Sequence, residues 1–257
     1  MTERRLIIGG NWKMHKTPSE GVHAAKALRV KLINVSTVDV VICPPATGLV
    51  PIHAILRESN IKIGAQNLYW EDEGAFTGEI SAPMLRDAGC DYVIVGHSER
   101  RHVFGESDDQ LNKKVKKAMS AGLKVIFCVG ETLAERNNGE MQTVVKKQIQ
   151  LGLDGLTPAG SRDLVIAYEP VWAIGTGVTA SPTQAEEMHG FVRHLLAKQF
   201  DETTASQIQI QYGGSVKPAN ADELLSQENI DGALVGGASL DPESFTAIVK
   251  AAEKITN

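Results

Sequence analysis

Short β-branched, largely apolar runs recur along the chain at 6–10, 38–43, 61–65, 92–96, 125–129, 164–168, 208–212 and 232–235. Most do not alternate with polar residues, so they predict strands buried on both faces rather than strands with one wet side. Between them the period becomes helical. In the last segment Phe245, Ile248, Val249 and Ala252 stand at i, i+3, i+4 and i+7 and form one apolar stripe. Helix starts are marked as well. Thr17-Pro18-Ser19-Glu20 and Ser181-Pro182-Thr183-Gln184 each place a hydroxyl at the cap, Pro at the first helical position and an acceptor three residues past the cap. Asp241-Pro242 repeats the signal. No Pro/Ser-rich linker or low-complexity stretch divides the chain, which predicts a single domain over residues 1–257.

Eight strand-then-helix units in 257 residues average about 32 residues each, the repeat of a (β/α)8 barrel of about 250 residues. The rival is a doubly wound open sheet, which would carry a Gly-rich turn directly after its first strand. Gly175-Thr176-Gly177-Val178-Thr179-Ala180 imitates that turn poorly. Residues 170–174 separate it from the strand, and no acidic residue ends a strand about 20 residues on. The predicted class is α/β, a closed barrel.

Composition narrows the function classes. Hydrophobic residues are 42%, charged residues 22%, and the net charge is −5, which excludes a disordered chain and a generally basic nucleic-acid binder. No apolar run reaches the roughly 18–20 residues of a membrane span, and the first is too short for a secretory signal. Cys43, Cys90 and Cys128 have neither zinc spacing nor an even number and suit a reducing compartment. A cytoplasmic protein without metal is the expectation.

In a parallel barrel the reacting groups sit at the C-terminal ends of the strands. The first run leads into Asn11-Trp12-Lys13, the fourth into His97-Ser98-Glu99-Arg100-Arg101, and the sixth into Glu169-Pro170-Val171-Trp172. The last two lead into Gly213-Gly214-Ser215 and Gly236-Gly237. A carboxylate beside apolar residues loses hydration, which would raise its pKa and make Glu169 a better base; taken alone, it reads more readily as an ordinary solvated loop residue. His97 opens a helical turn, whose N-terminus disfavours a positive charge, so a neutral imidazole is expected there, either as a donor to substrate or tied to backbone. Lys13 is suited to an anionic substrate or a Schiff base, or is a surface lysine; Asn11 is suited to an oxyanion or a turn cap. The two Gly pairs offer bare N–H groups to a phosphate, in the loops where this barrel recurrently binds one. Residues 171–180 read as a lid, since exposing Trp172 in a passive loop is costly. Cys128 reads as core, and Lys113-Lys114-Val115-Lys116-Lys117 as a solvated helix face.

These stretches together resemble the triosephosphate isomerase family over nearly the whole chain. The resemblance is carried by Gly9-Gly10-Asn11-Trp12-Lys13-Met14, Gly74-Ala75-Phe76-Thr77-Gly78-Glu79, Val95-Gly96-His97-Ser98-Glu99-Arg100-Arg101 and Cys128-Val129-Gly130-Glu131. It continues through Tyr168-Glu169-Pro170-Val171-Trp172-Ala173-Ile174-Gly175-Thr176-Gly177, Tyr212-Gly213-Gly214-Ser215 and Val235-Gly236-Gly237-Ala238. It implies a TIM barrel that interconverts dihydroxyacetone phosphate and glyceraldehyde 3-phosphate, in glycolysis and gluconeogenesis, with no cofactor. It further implies the Glu base and neutral His electrophile for which that family is the standard worked example, here Glu169 and His97. Asn11 and Lys13 would assist them, and Trp12, Gly175, Ser215, Gly236 and Gly237 would complete the substrate site. The family's lid and homodimer are implied too, with Thr77 of one subunit reaching Asn11 and His97 of the other. His15 stands where many members carry Asn, near the subunit contact, and Val178 where a Lys often marks the far hinge of the lid. Two other readings compete: an aldolase forming a Schiff base through Lys13, and a non-catalytic binding barrel.

Overall fold

The computed structural model describes residues 4–159, 163–175 and 179–256. Eight parallel strands close on themselves in sequence order: β1 (Ile7–Asn11), β2 (Asp39–Cys43), β3 (Ile61–Ala65), β4 (Tyr92–Val95), β5 (Lys124–Val129), β6 (Leu164–Tyr168), β7 (Gln209–Tyr212) and β8 (Gly232–Val235). The closure is β1 against β8, with Ile7 opposite Gly232 and Gly10 opposite Val235. This is the barrel the apolar runs predict, and it excludes the open sheet.

Among the described residues the helices are α1 (Pro18–Lys31), α2 (Leu49–Leu56), α3 (Ala82–Asp87), α4 (Ser98–His102), α5 (Asp108–Ser120) and α6 (Leu133–Asn137). They continue as α7 (Met141–Gly152), α8 (Pro182–Gln199), α9 (Glu202–Ala205), α10 (Ala221–Leu225) and α11 (Pro242–Ile255). Thr17 and Ser181 form full capping boxes with Glu20 and Gln184, and Asp241 caps α11 through the Ser244 N–H. Each box satisfies two backbone donors at the helix start and fixes where it begins.

Double burial of the strands follows from two apolar layers. Ile7, Val41, Ile94, Ile126, Val165 and Leu234 fill the barrel interior, while Ile8, Val40, Val93, Val125, Ile166 and Val235 face the helices. Cys43, Cys90 and Cys128 are free and buried. One expectation fails. Lys114 is not on a solvated face but buried, with Nζ 2.6 Å from Glu106 Oε1 and 2.8 Å from Asn67 Oδ1. The lysine run spans more than one helical turn, so one member must turn inward, where Glu106 supplies the compensating charge.

Candidate active site

The C-terminal strand ends surround a cavity of about 630 Å³ whose wall includes Asn11, Trp12, Lys13, His97, Glu169, Gly175, Ser215, Gly236 and Gly237. Every sequence-derived site residue from this chain's own loops therefore meets in one place. Thr77 does not; it is exposed on a separate segment outside that cavity. Of the candidate lid, residues 176–178, including Val178, lie outside the described residues.

Glu169 follows β6 directly and is buried. Its backbone is tightly enclosed: a Cβ on Gly130 would lie 1.8 Å from the Glu169 carbonyl oxygen, and one on Gly213 would lie 2.7 Å from Glu169 Cγ. The carboxylate accepts from the Ser98 N–H at 2.7 Å and lies 3.0 Å from His97 Nε2. Burial pushes the carboxyl up, as the sequence suggests. The His97 ring, the Ser98 N–H and the Lys13 charge together outweigh it and hold the carboxyl below its ordinary 4.5. Sequence reasoning missed this direction because the compensating groups come from other βα units.

His97 caps α4, and its Nδ1 accepts the Glu99 N–H at 3.2 Å. With that lone pair engaged, the ring proton belongs on Nε2, the atom facing Glu169. Burial pushes the ring down, but the charge and hydrogen bond of Glu169 raise it above its ordinary 6.5 while the carboxylate stays docked. Lys13 holds a left-handed backbone, φ 49°, supported by its N–H donating to Asn11 Oδ1 at 3.0 Å and by Gln66 Nε2 donating to its carbonyl at 2.8 Å. Its ammonium pairs with Glu99 Oε1 at 2.6 Å.

A further acidic residue went unassigned from sequence. Glu131 is wholly buried and accepts from Tyr168 Oη at 3.0 Å, Trp172 Nε1 at 2.9 Å and Arg136 Nη1 at 3.1 Å. It anchors the start of the 171–180 segment. Its position two residues past β5, after Gly130, was the available signal.

The chain matches the model of the triosephosphate isomerase family over residues 6–252. It belongs to that family. Triosephosphate isomerases from Carboxydothermus hydrogenoformans and Moorella thermoacetica are 56% and 55% identical to it, each match covering 96% of this chain and 98% of the relative. The crystal structure of triosephosphate isomerase from Bartonella henselae superposes with a TM-score of 0.87 at 42% identity, covering 96% of this chain and 98% of that one. The family's barrel is thus the architecture found here.

Proposed function

We infer that Glu169 and His97 carry the proton transfers of the reaction this chain performs as an enzyme of its family, the interconversion of D-glyceraldehyde 3-phosphate and dihydroxyacetone phosphate. The observation that supports this most directly is the Glu169–His97 contact of 3.0 Å on the wall of a cavity that also holds a fixed ammonium. Glu169 leaves the Ser98 N–H, removes the proton from the substrate carbon next to the carbonyl, and returns it to the neighbouring carbon through an enediolate. Its departure takes away the main charge that raised His97; burial, the largest influence on the ring, and Lys13 then favour the neutral form against the remaining charge of Glu99. The Nε2–H then donates to the enediolate oxygen, with Asn11 beside it. Lys13 balances the anionic substrate, and the backbone N–H groups of Gly175, Ser215, Gly236 and Gly237 receive its phosphate. Residues 171–180 shut out water, which keeps the enediolate from expelling phosphate.

A coupled assay of triose phosphate turnover tests the reading directly; borohydride trapping with substrate tests the Schiff-base rival and should leave Lys13 unlabelled. His97→Ala should lower kcat on the order of 10²–10³, the usual cost of one oxyanion donor. An unchanged rate would make the ring structural. Because the Glu169 carboxyl lies below 4.5, the base is ionised throughout the neutral range. The acid limb of kcat/KM set by Glu169 should therefore fall below pH 4.5, and a limb near pH 6 assigned to this carboxyl would contradict the docked geometry.

We also propose a cytoplasmic homodimer. A second cavity of about 350 Å³ adjoins the first, shares Asn11, Lys13 and His97 with it, and is bordered by Met14, Leu85 and Phe104. Met14 and Phe104 are 94% and 66% exposed. Phe76, beside Thr77, is also exposed and offers an apolar loop tip for such a cavity on a second copy. Three free buried thiols suit a reducing compartment. Native mass measurement tests the assembly, and a monomer with full activity would overturn it.

A further inference from the structure

The buried stripe of α7 runs through Val145, Gln148, Ile149 and Gly152, at i, i+3, i+4 and i+7, and so seats one glutamine where the helical period calls for an apolar side chain. A primary amide taken out of water costs free energy unless both its ends are paired. Gln148 pairs both ends on a single residue. Its Oε1 accepts the Gly130 N–H at 2.7 Å, and its Nε2 donates to the Gly130 carbonyl at 3.0 Å, with both bonds buried. The opposite flip of the amide would set donor against donor and acceptor against acceptor, so the contact itself fixes the orientation.

Gly130 needs such a partner because the sheet runs out on one side of it. Toward β6 the ladder continues past the strand ends: the Val129 and Glu131 carbonyls accept the Glu169 and Val171 N–H groups at 2.7 and 3.0 Å. Gly130, between them, turns its own N–H and carbonyl the other way. On that side β4 has already ended, with Val95 opposite Phe127, before the chain turns into α4 at His97. Side chains therefore replace the strand. Arg101 Nη2 donates to the Cys128 carbonyl at 3.0 Å, and the Gln148 amide takes both groups of Gly130. What Gly130 presses on is Glu169, since a Cβ there would come within 1.8 Å of the Glu169 carbonyl oxygen.

We propose that Gln148 is a positioning residue for the base: by clamping both backbone groups of Gly130 it fixes the seat of the Glu169 main chain, and with it the point from which the carboxylate reaches His97 Nε2 and the Ser98 N–H. This role rests on the isomerase reading of the site, and the test separates the two. Turnover of glyceraldehyde 3-phosphate by the unaltered protein is measured first; its absence would overturn the isomerase reading and this one with it. With turnover present, Gln148→Met, equal in length but unable to pair with Gly130, should lower kcat roughly tenfold at unchanged KM, the weight of one net hydrogen bond. A base drawn off its seat loses part of the hold of His97 and the Ser98 N–H, which with Lys13 keep its carboxyl below 4.5. The acid limb of kcat/KM should therefore move upward, which a glutamine that only packs the helix would not cause. In the Glu169→Gln background, Gln148→Met should cost nothing further in kcat. Additive losses, a loss confined to KM, or an unmoved acid limb would each overturn the role of Gln148 alone. Should the Met variant fail to fold, Gln148→Asn keeps a neutral amide that falls one methylene short of Gly130. It should show the same changes on a smaller scale, and the parent's kcat and acid limb in that variant would overturn the proposal.

Discussion

Replacing Glu169 with Gln should lower kcat by at least the 10²–10⁴ typical of a general acid–base group, with little change in affinity for 2-phosphoglycolate. The amide keeps the shape and one acceptor oxygen but has no basicity, so only the proton transfer is lost. Of the phosphate donors, Ser215, Gly236 and Gly237 lie on other loops, after β7 and β8, and do not depend on the carboxylate. Steady-state kinetics with a parallel binding titration separates the two. Near-normal turnover would remove Glu169 from the mechanism, and an equal loss of affinity would mean that the substitution collapsed the site. Loss of the carboxylate also removes the main influence that raises His97, leaving only the charge of Glu99 in that sense, so the ring in this variant should titrate lower than in the unaltered protein.

The largest expected effect on stability lies at the opposite end of the barrel. Asp231, just before β8, accepts from Arg4 Nε at 2.6 Å, Arg193 Nη2 at 2.5 Å and the Ile210 N–H at 2.8 Å. Its side chain is 5% exposed, and that of Arg193 is 15% exposed. Arg193 also donates to the Ala205 and Ile208 carbonyls, so it cannot readily turn to solvent when its partner goes. Asp231→Ala should cost about 3–5 kcal/mol, the usual result of stranding a buried charge. That is a large share of the 5–15 kcal/mol typical of folded proteins. Denaturant unfolding measures it, and a midpoint unchanged from the parent would show that the network contributes no net stability. The reacting groups lie at the other strand ends, so the kcat of the folded fraction should be retained.

What was legible in the sequence was local. Apolar runs place all eight strands to within a residue or so, because strands buried on both faces are mostly apolar along their length, even though β7 carries Gln209 and Gln211. The boxes at Thr17 and Ser181 form as written, because cap and partner are three residues apart. Asn11 stands as the last residue of β1 rather than just beyond it, a shift within the normal uncertainty of element ends. Site membership could be read because the barrel gathers whatever follows its strands. The electrostatics could not. Lys13 meets Glu99 across 86 positions and Ser98 meets Glu169 across 71, and no spacing rule spans such distances. The same holds for Lys114, whose inward turn depends on Glu106 one helical entry away and on Asn67 from another unit. Glu131 was legible by position but not by role, since its three donors arrive from β6, the lid's start and α6.

The tight fit of Gly130 and Gly213 against Glu169 bears on how the base travels. With main chain pressed on it from one neighbouring strand end and Gly213 closing on Cγ from the other, residue 169 has a fixed pivot, and its travel is confined to rotation about its own side-chain bonds. The carboxylate works as a short pendulum hung from a pivot that the scaffold holds in place. A methyl group added at either glycine would jam that stroke without touching a single reacting atom.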